Sequence, residues 1–99
     1  MAEYILQILK SNLMIVFSWG FYNPKQLSNG LKFNVEGFKY KGEVKVIYNE
    51  ATDLFDITLE NNTKVDDVYA DNLVNVIDNL VEKTDDYKER ITQEYNIHF

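Results

Sequence analysis

Apolar residues occupy every second position through most of the central part of the chain, and glycines or short polar turns separate the runs. A period of two places alternate side chains on the same side of a strand. The pattern therefore predicts a sheet with one buried face and one solvent-facing side. The apolar positions are Leu31, Phe33, Val35, Phe38, Tyr40, Val44, Val46, Tyr48, Phe55, Ile57 and Leu59.

The expected strand pairing follows from keeping these residues on one face. The parity of the apolar positions changes across Glu36-Gly37, which is typical of a β-bulge. Lys41-Gly42-Glu43 is then expected to form a hairpin turn, and residues 49–52 the next turn. The expected neighbours are Tyr40 with Val44, Phe38 with Val46, Val46 with Phe55 and, on the other face, Lys45 with both Lys39 and Asp56.

The N-terminal third of the chain has three different patterns. Residues 3–11 show apolar positions at helical spacing between Glu3 and Lys10, which predicts a short helix with Ile5 and Leu9 packed against the sheet. Residues 13–21 are apolar on both parities, which predicts a strand covered on both faces, at least in its first half. A loop is expected between Asn23-Pro24 and Ser28-Asn29-Gly30.

The apolar spacing changes to threes and fours after Asn61-Asn62, which predicts an amphipathic helix. Asp66, Asp67 and Asp71 gather at its expected start, where negative charge suits the helix dipole. Residues 84–86 either lie inside one long helix or cap a second one, and a break or kink is favoured there. The apolar positions of this segment are Leu73, Val76, Ile77, Leu80, Val81, Tyr87 and Ile91.

These elements predict one α+β domain over residues 1–99. It has an N-terminal helix, a four-stranded antiparallel sheet and a C-terminal helical segment, with the helices packed on one face of the sheet. With 45% apolar and 26% charged residues, the composition is that of a folded domain. The chain has no cysteine, and its apolar run at 13–21 is shorter than the about 20 residues of a membrane span. A soluble cytoplasmic protein is expected.

Charge is distributed unevenly along the chain. Residues 1–49 carry six lysines and three glutamates, whereas residues 50–99 carry four cationic and thirteen acidic residues. This acidity favours a basic protein partner and makes nucleic acid binding unfavourable. The expected partner-binding residues are Asp78, Glu82, Asp85, Asp86 and Glu89. The last four could also hold a hard cation, but ion pairs with Lys83, Lys88 and Arg90 are favoured, and no metal site is expected.

Two other groups of residues are alternative ligand sites. Trp19, Phe21 and Tyr22 could form the wall of a small-ligand pocket, although a corner of the core is the favoured interpretation. Lys32, Lys39, Lys41 and Lys45 could form an anion-binding face, although surface lysines that block strand addition are favoured.

No arrangement typical of catalysis is visible. The single histidine, His98, has only Glu94 at helical spacing as a partner, and the chain lacks a phosphate-binding loop or a nucleophile with its base. No catalytic residue and no cofactor are therefore expected. The expected function is a small non-enzymatic interaction or regulatory module. The alternatives are a self-associating structural protein and, less favoured, a nucleic-acid or small-ligand binder.

A homodimer is also expected, through one of two apolar surfaces. The first consists of Met14, Val16, Ile47 and Leu54, which are expected on the side that the helices leave open. The second is the set of apolar residues Tyr87, Ile91 and Tyr95.

One stretch of the chain resembles a family of small uncharacterised bacterial proteins of about this length. The similarity covers about residues 18 to 59 and rests on the motifs Ser18-Trp19-Gly20, Asn29-Gly30-Leu31-Lys32-Phe33, Val35-Glu36-Gly37-Phe38, Gly42 and Asp53-Leu54-Phe55. These are structural residue types, so the resemblance implies no activity, ligand or catalytic residue.

Overall fold

The computed structural model describes residues 1–82, which form an α+β fold with an antiparallel sheet. The helices are α1 (Ala2–Lys10), α2 (Leu13–Ser18) and α3 (Leu73–Val81), and a short 3₁₀ helix (Ala70–Asn72) precedes α3. The strands are β1 (Tyr22–Leu27), β2 (Gly30–Glu36), β3 (Lys41–Asn49), β4 (Leu54–Leu59) and β5 (Lys64–Val68).

The sheet is a meander in which each strand pairs with its neighbour in the sequence, in the order β1-β2-β3-β4-β5. All four pairings are antiparallel. The sheet of the described residues thus has five strands, and the prediction of four was wrong. β1 and β5 were both missed, whereas the strand expected at 13–21 is absent.

The core joins alternate residues of the sheet to apolar residues of the helices. Phe33, Val44 and Ile57 are fully buried, as the period of two predicts, and they belong to the same core as Ile5 and Ile77. Burial is also confirmed for Val35, Val46, Phe55, Leu59, Leu9 and Leu73, whereas Tyr40 and Leu80 are only partly buried. None of the helices within residues 1–82 is long and apolar enough to cross a membrane.

Helix α1 lies where the spacing of residues 3–11 predicts it, but α2 replaces the strand expected at 13–21. A run that is apolar at every position has no period, so it fits a short helix as well as a buried strand. The burial within α2 is one-sided: Val16 is 3% exposed, whereas Met14 is 84% exposed. Residues 13–18 are therefore not covered on both sides.

Strand β1 occupies the region expected to be a loop. It lies at the edge of the sheet, and its pairing with β2 is irregular between Tyr22 and Lys25. An edge strand tolerates Pro24, because one side of its backbone makes no ladder hydrogen bonds. Most of its side chains are exposed, so no apolar alternation signals it.

The change of parity at Glu36-Gly37 marks the end of β2, and not a bulge within it. Residues 37–40 form the turn, and the Val81 carbonyl oxygen accepts hydrogen bonds from the backbone N–H groups of Lys39 (2.9 Å) and Tyr40 (3.2 Å). A Cβ atom on Gly37 would lie 2.3 Å from that oxygen, so this close approach requires glycine. Phe38 is 58% exposed, and its predicted burial was wrong.

The register of β3 therefore differs from the expected one. Val44 lies opposite Phe33, and Val46 lies between Leu31 and Ile57. The expected pairs of Tyr40 with Val44 and of Phe38 with Val46 were wrong because the turn precedes Lys41 instead of following it. The expected pair of Val46 with Phe55 was wrong for another reason: Asn49 pairs with Leu54, so the β3–β4 turn covers residues 50–53 and not 49–52. On the other face, Lys45 lies between Lys32 and Thr58.

Strand β5 has a bulge that gives it a helix-like pattern. Val68 pairs with Phe55 and Val65 pairs with Ile57, so Asp66 and Asp67 together oppose a single residue. The two valines are consequently three positions apart, which is a helical spacing. Asp66 and Asp67 lie in this strand, and α3 starts only at Leu73. The break expected at residues 84–86 lies outside the described residues.

Candidate functional site

A cleft lined by tyrosines lies where the start of α1, the β3–β4 turn and the 3₁₀ helix meet. Its volume is about 450 Å³, which is within the range of small-ligand pockets, roughly 300–1,000 Å³. We call it the tyrosine cleft. It is lined by Met1, Tyr4, Tyr48, Asp53, Phe55, Tyr69, Ala70 and Asp71.

Aromatic rings from separate parts of the chain line the tyrosine cleft. Phe55, which is only 2% exposed, stacks with Tyr4 at a centroid distance of 6.3 Å and packs at an angle against Tyr48 at 5.5 Å. Tyr4 and Tyr69 are 48% and 63% exposed. The cleft therefore combines a buried aromatic ring with tyrosines that solvent reaches.

Asp53 is held in the cleft by the β3–β4 turn. Its backbone N–H donates to the Asn49 carbonyl at 2.9 Å, and its φ of 58° is a left-handed conformation that aspartate tolerates better than most residues. The Tyr48 hydroxyl donates a hydrogen bond to the Asp53 carboxylate. This hydrogen bond is the main cause that raises the pKa of Tyr48 above its ordinary value, and desolvation adds to it.

Asp71 brings a second carboxylate to the cleft, from the 3₁₀ helix. The backbone N–H of Asn72 donates to the Tyr69 carbonyl at 3.0 Å, which ties Tyr69 to this helix. Within residues 1–82, neither Asp53 nor Asp71 has a cationic group at ion-pair distance. Aromatic faces beside carboxylates that lack a cation form an environment that attracts a cationic ligand.

The expected acidic surface is only partly described. Asp78 accepts a hydrogen bond from the Trp19 indole N–H at 2.9 Å, and the Glu82 carboxylate accepts one from the Phe38 backbone N–H at 3.2 Å. Both acids therefore connect α3 to other parts of the fold. Asp85, Asp86 and Glu89 lie outside the described residues.

The three aromatic residues of the expected ligand corner differ in their surroundings. Trp19 is fully buried, and its carbonyl accepts a hydrogen bond from the Glu36 N–H at 2.7 Å. Phe21 packs on Phe33 with a centroid distance of 4.8 Å, while Tyr22 is 48% exposed on the edge strand. Trp19 belongs to the core, as the favoured interpretation expected.

The four lysines of the expected anion-binding face do not all have the same surroundings. Lys32 and Lys45 lie opposite each other, and each makes an ion pair with Glu43, at 3.6 Å and 3.9 Å. The Lys39 ammonium donates instead to the Asn79 carbonyl at 3.2 Å. Lys41 lines a separate depression that also contains the acids Glu36 and Glu82.

Sequence reasoning missed the tyrosine cleft because its residues come from four separate segments. Tyr4, Tyr48 and Tyr69 have no common spacing, and only the fold brings them together. A local signal that could have pointed to the cleft is Asp53, which lies at the end of a turn five residues after Tyr48. Among residues 1–82, no three histidine or acidic side chains are grouped so that they could hold a metal ion.

No protein family, curated protein or solved structure matches this chain. The resemblance of residues 18 to 59 to a bacterial family stays a prediction.

Proposed function

We propose that this protein is a small, non-enzymatic cytoplasmic interaction module that binds a basic protein partner through an acidic surface. The observation that carries the proposal is the charge of residues 46–82. This stretch contains nine carboxylates and a single cation, Lys64. It comprises the last four residues of β3, the strands β4 and β5, the 3₁₀ helix and α3.

Most of these carboxylates are not neutralised by the lysines of the described residues. Lys64 makes an ion pair with Asp66 at 3.5 Å, whereas Asp53, Asp67 and Asp71 have no lysine of residues 1–82 at this range. A field of carboxylates accelerates the encounter with a basic partner and suppresses the approach of phosphate groups. Salt screens this attraction beyond roughly 8 Å at physiological ionic strength.

The proposed surface is centred on β5 and the 3₁₀ helix. Asp78 and Glu82 make hydrogen bonds within the fold, which supports a structural role for them. Asp85, Asp86 and Glu89 are included in the proposed surface because of their acidity and their positions in the sequence.

The experiment compares capture of basic proteins by immobilised wild-type protein and by two doubly neutralised variants. Asp67→Asn with Asp71→Asn removes charge from the proposed surface, and asparagine suits the left-handed φ of Asp67. Glu3→Gln with Glu36→Gln removes the same charge from exposed positions outside residues 46–82. We expect only the first pair to weaken capture, and high salt to weaken capture by the wild type. Equal losses in both variants would show that net charge, and not this surface, is responsible.

A third variant tests the C-terminal acids. Asp85→Lys with Glu89→Lys is expected to weaken capture further if these residues extend the same surface. Capture that survived this variant and also Asp67→Asn with Asp71→Asn would contradict the acidic-surface proposal.

A second candidate function is self-association, which exposed apolar residues of α2 favour. Met14 and Phe17 are 84% and 65% exposed, and Leu13 is 44% exposed. Val16 was expected on the same apolar surface as Met14, but it is buried and belongs to the core, so it cannot contribute to this contact. Light scattering tests the candidate: a concentration-dependent mass that Phe17→Ser removes supports it, and a monomer mass at high concentration contradicts it.

A further inference from the structure

The chemistry of the tyrosine cleft identifies the group that fits it. Its lining includes the aromatic residues Tyr4, Tyr48 and Tyr69, and its carboxylates are Asp53 and Asp71. Aromatic faces attract cations through their electron-rich π systems, and carboxylates accept charge-assisted hydrogen bonds. A ligand that satisfies both must be positively charged and must also have a surface that packs on rings.

We propose that the tyrosine cleft binds the side chain of one arginine of the basic protein partner. This inference rests on the proposed function and names the residue through which the partner is anchored. A guanidinium group is flat, stacks on aromatic rings and presents several N–H donors to carboxylates. A lysine ammonium is a compact, strongly hydrated point charge, so it gains less from the same rings.

The cleft is arranged before any ligand enters. The Tyr48 hydroxyl holds the Asp53 carboxylate, and the turn fixes the Asp53 backbone through the Asn49 carbonyl. The contacts of Phe55 with Tyr4 and Tyr48 fix the rings on that side. A site with preset side chains loses less conformational entropy on binding, which supports a binding role.

The test is a titration of isotope-labelled protein with short, capped peptides that differ at one residue. The peptides contain arginine, citrulline or lysine between glycines, and amide shifts of residues around the cleft report binding. Citrulline has the shape of arginine without its charge. We expect the arginine peptide to bind roughly ten-fold more tightly than the citrulline peptide, because the rings and the carboxylates both recognise the charge. The lysine peptide is expected to bind with intermediate affinity.

Two pairs of variants locate the binding on the protein. Tyr69→Ala and Asp71→Asn alter exposed residues of the cleft, and each is expected to weaken arginine binding by roughly two- to five-fold. The controls are Tyr22→Ala and Glu36→Gln, which remove an exposed tyrosine and an exposed acid elsewhere. They are expected to leave the affinity unchanged. Asp53→Asn is a further variant of the cleft. Circular dichroism verifies that each variant is folded.

Several results would overturn the arginine proposal. Equal affinity for the arginine and citrulline peptides would exclude recognition of charge. If tetramethylammonium bound more tightly than the arginine peptide, the cleft would be assigned to quaternary ammonium groups instead. A loss of binding in Tyr22→Ala but not in Tyr69→Ala would place the site at the aromatic corner.

Failure of this inference can be distinguished from failure of the proposed function. Salt-sensitive capture that depends on Asp67 and Asp71, without any preference for the arginine peptide, would overturn the arginine site alone. A preference for the arginine peptide in a protein that shows no acid-dependent capture would overturn the proposed basic partner.

Discussion

Two hydrogen bonds from an aromatic side chain to an aspartate show how the role of such a bond differs between the core and the surface. Trp19 donates to Asp78, and Tyr48 donates to Asp53. The first pair joins residues 59 positions apart, connecting the end of α2 with α3. The second joins residues five positions apart across one turn, and Asp53 is exposed.

Burial decides what each hydrogen bond does. The indole of Trp19 is fully buried, so its N–H needs the Asp78 carboxylate as a substitute for water. Tyr48 and Asp53 can both reach water, so their hydrogen bond does little for stability and instead orients a ring and a carboxylate at the cleft. We therefore expect changes to the first pair to alter folding, and changes to the second to alter the proposed binding at the cleft.

The largest expected effect is that of Trp19→Ala. Removing a fully buried indole leaves a cavity and removes the N–H that donates to Asp78, and we expect the free energy of unfolding to fall by about 3–5 kcal/mol. Urea denaturation followed by circular dichroism measures it. A loss below about 1 kcal/mol would show that Trp19 is not part of the core.

Asp78→Ala is expected to have the next largest effect. It leaves the buried indole N–H of Trp19 without a partner, which costs about 1–3 kcal/mol. The same denaturation experiment applies, with Trp19→Phe as the second arm of a double-mutant cycle. If Asp78→Ala cost as much in the Trp19→Phe background as in the wild type, the hydrogen bond would not be the reason for the loss.

The sheet shows which parts of this fold the sequence alone predicts. Phe33, Val44 and Ile57 obey a period of two because one face of each strand is covered, and this local rule suffices to predict their burial. Phe38 alternates with Tyr40 in the same way and yet is exposed, because the chain turns at residues 37–40 to bind the Val81 carbonyl. That contact joins residues far apart in the sequence, and no local pattern reveals it.

The features that the sequence did not predict were missed for equally specific reasons. In β5 the bulge at Asp66 and Asp67 places Val65 and Val68 at a helical spacing, so the strand resembles the start of a helix. The tyrosine cleft was not predictable either, because Tyr4 and Tyr69 are ordinary exposed residues until the fold places them around Phe55.

Asp53→Asn is the exposed counterpart of Asp78→Ala and is expected to change stability by no more than about 0.5 kcal/mol. Asparagine adopts left-handed φ readily and can still accept the Tyr48 hydrogen bond. Thermal melting measures the stability, and the arginine-peptide titration measures the binding, which should weaken. A large loss of stability with intact binding would reverse the roles assigned to the two pairs.

The smallest expected effect is in the ionisation of Tyr48. Its phenol donates to the Asp53 carboxylate only while it is protonated, and this raises its pKa above the ordinary value of 10.0. The stability from this hydrogen bond is therefore present below pH 10, the value in the unfolded chain, and is lost as the pH rises through the raised pKa. Ultraviolet absorbance of phenolate against pH measures the ionisation.

Subtracting the titration curve of Tyr48→Phe from that of the wild type isolates the ionisation of Tyr48. It separates this ionisation from that of Tyr40, whose pKa is also raised, mainly by burial. Asp53→Asn removes the charge of the carboxylate, so we expect the ionisation of Tyr48 in this variant to occur at lower pH than in the wild type. An unchanged step would show that the Tyr48 hydroxyl does not hold the Asp53 carboxylate in solution. The cleft would then lack one of the contacts that prearrange it for a cation.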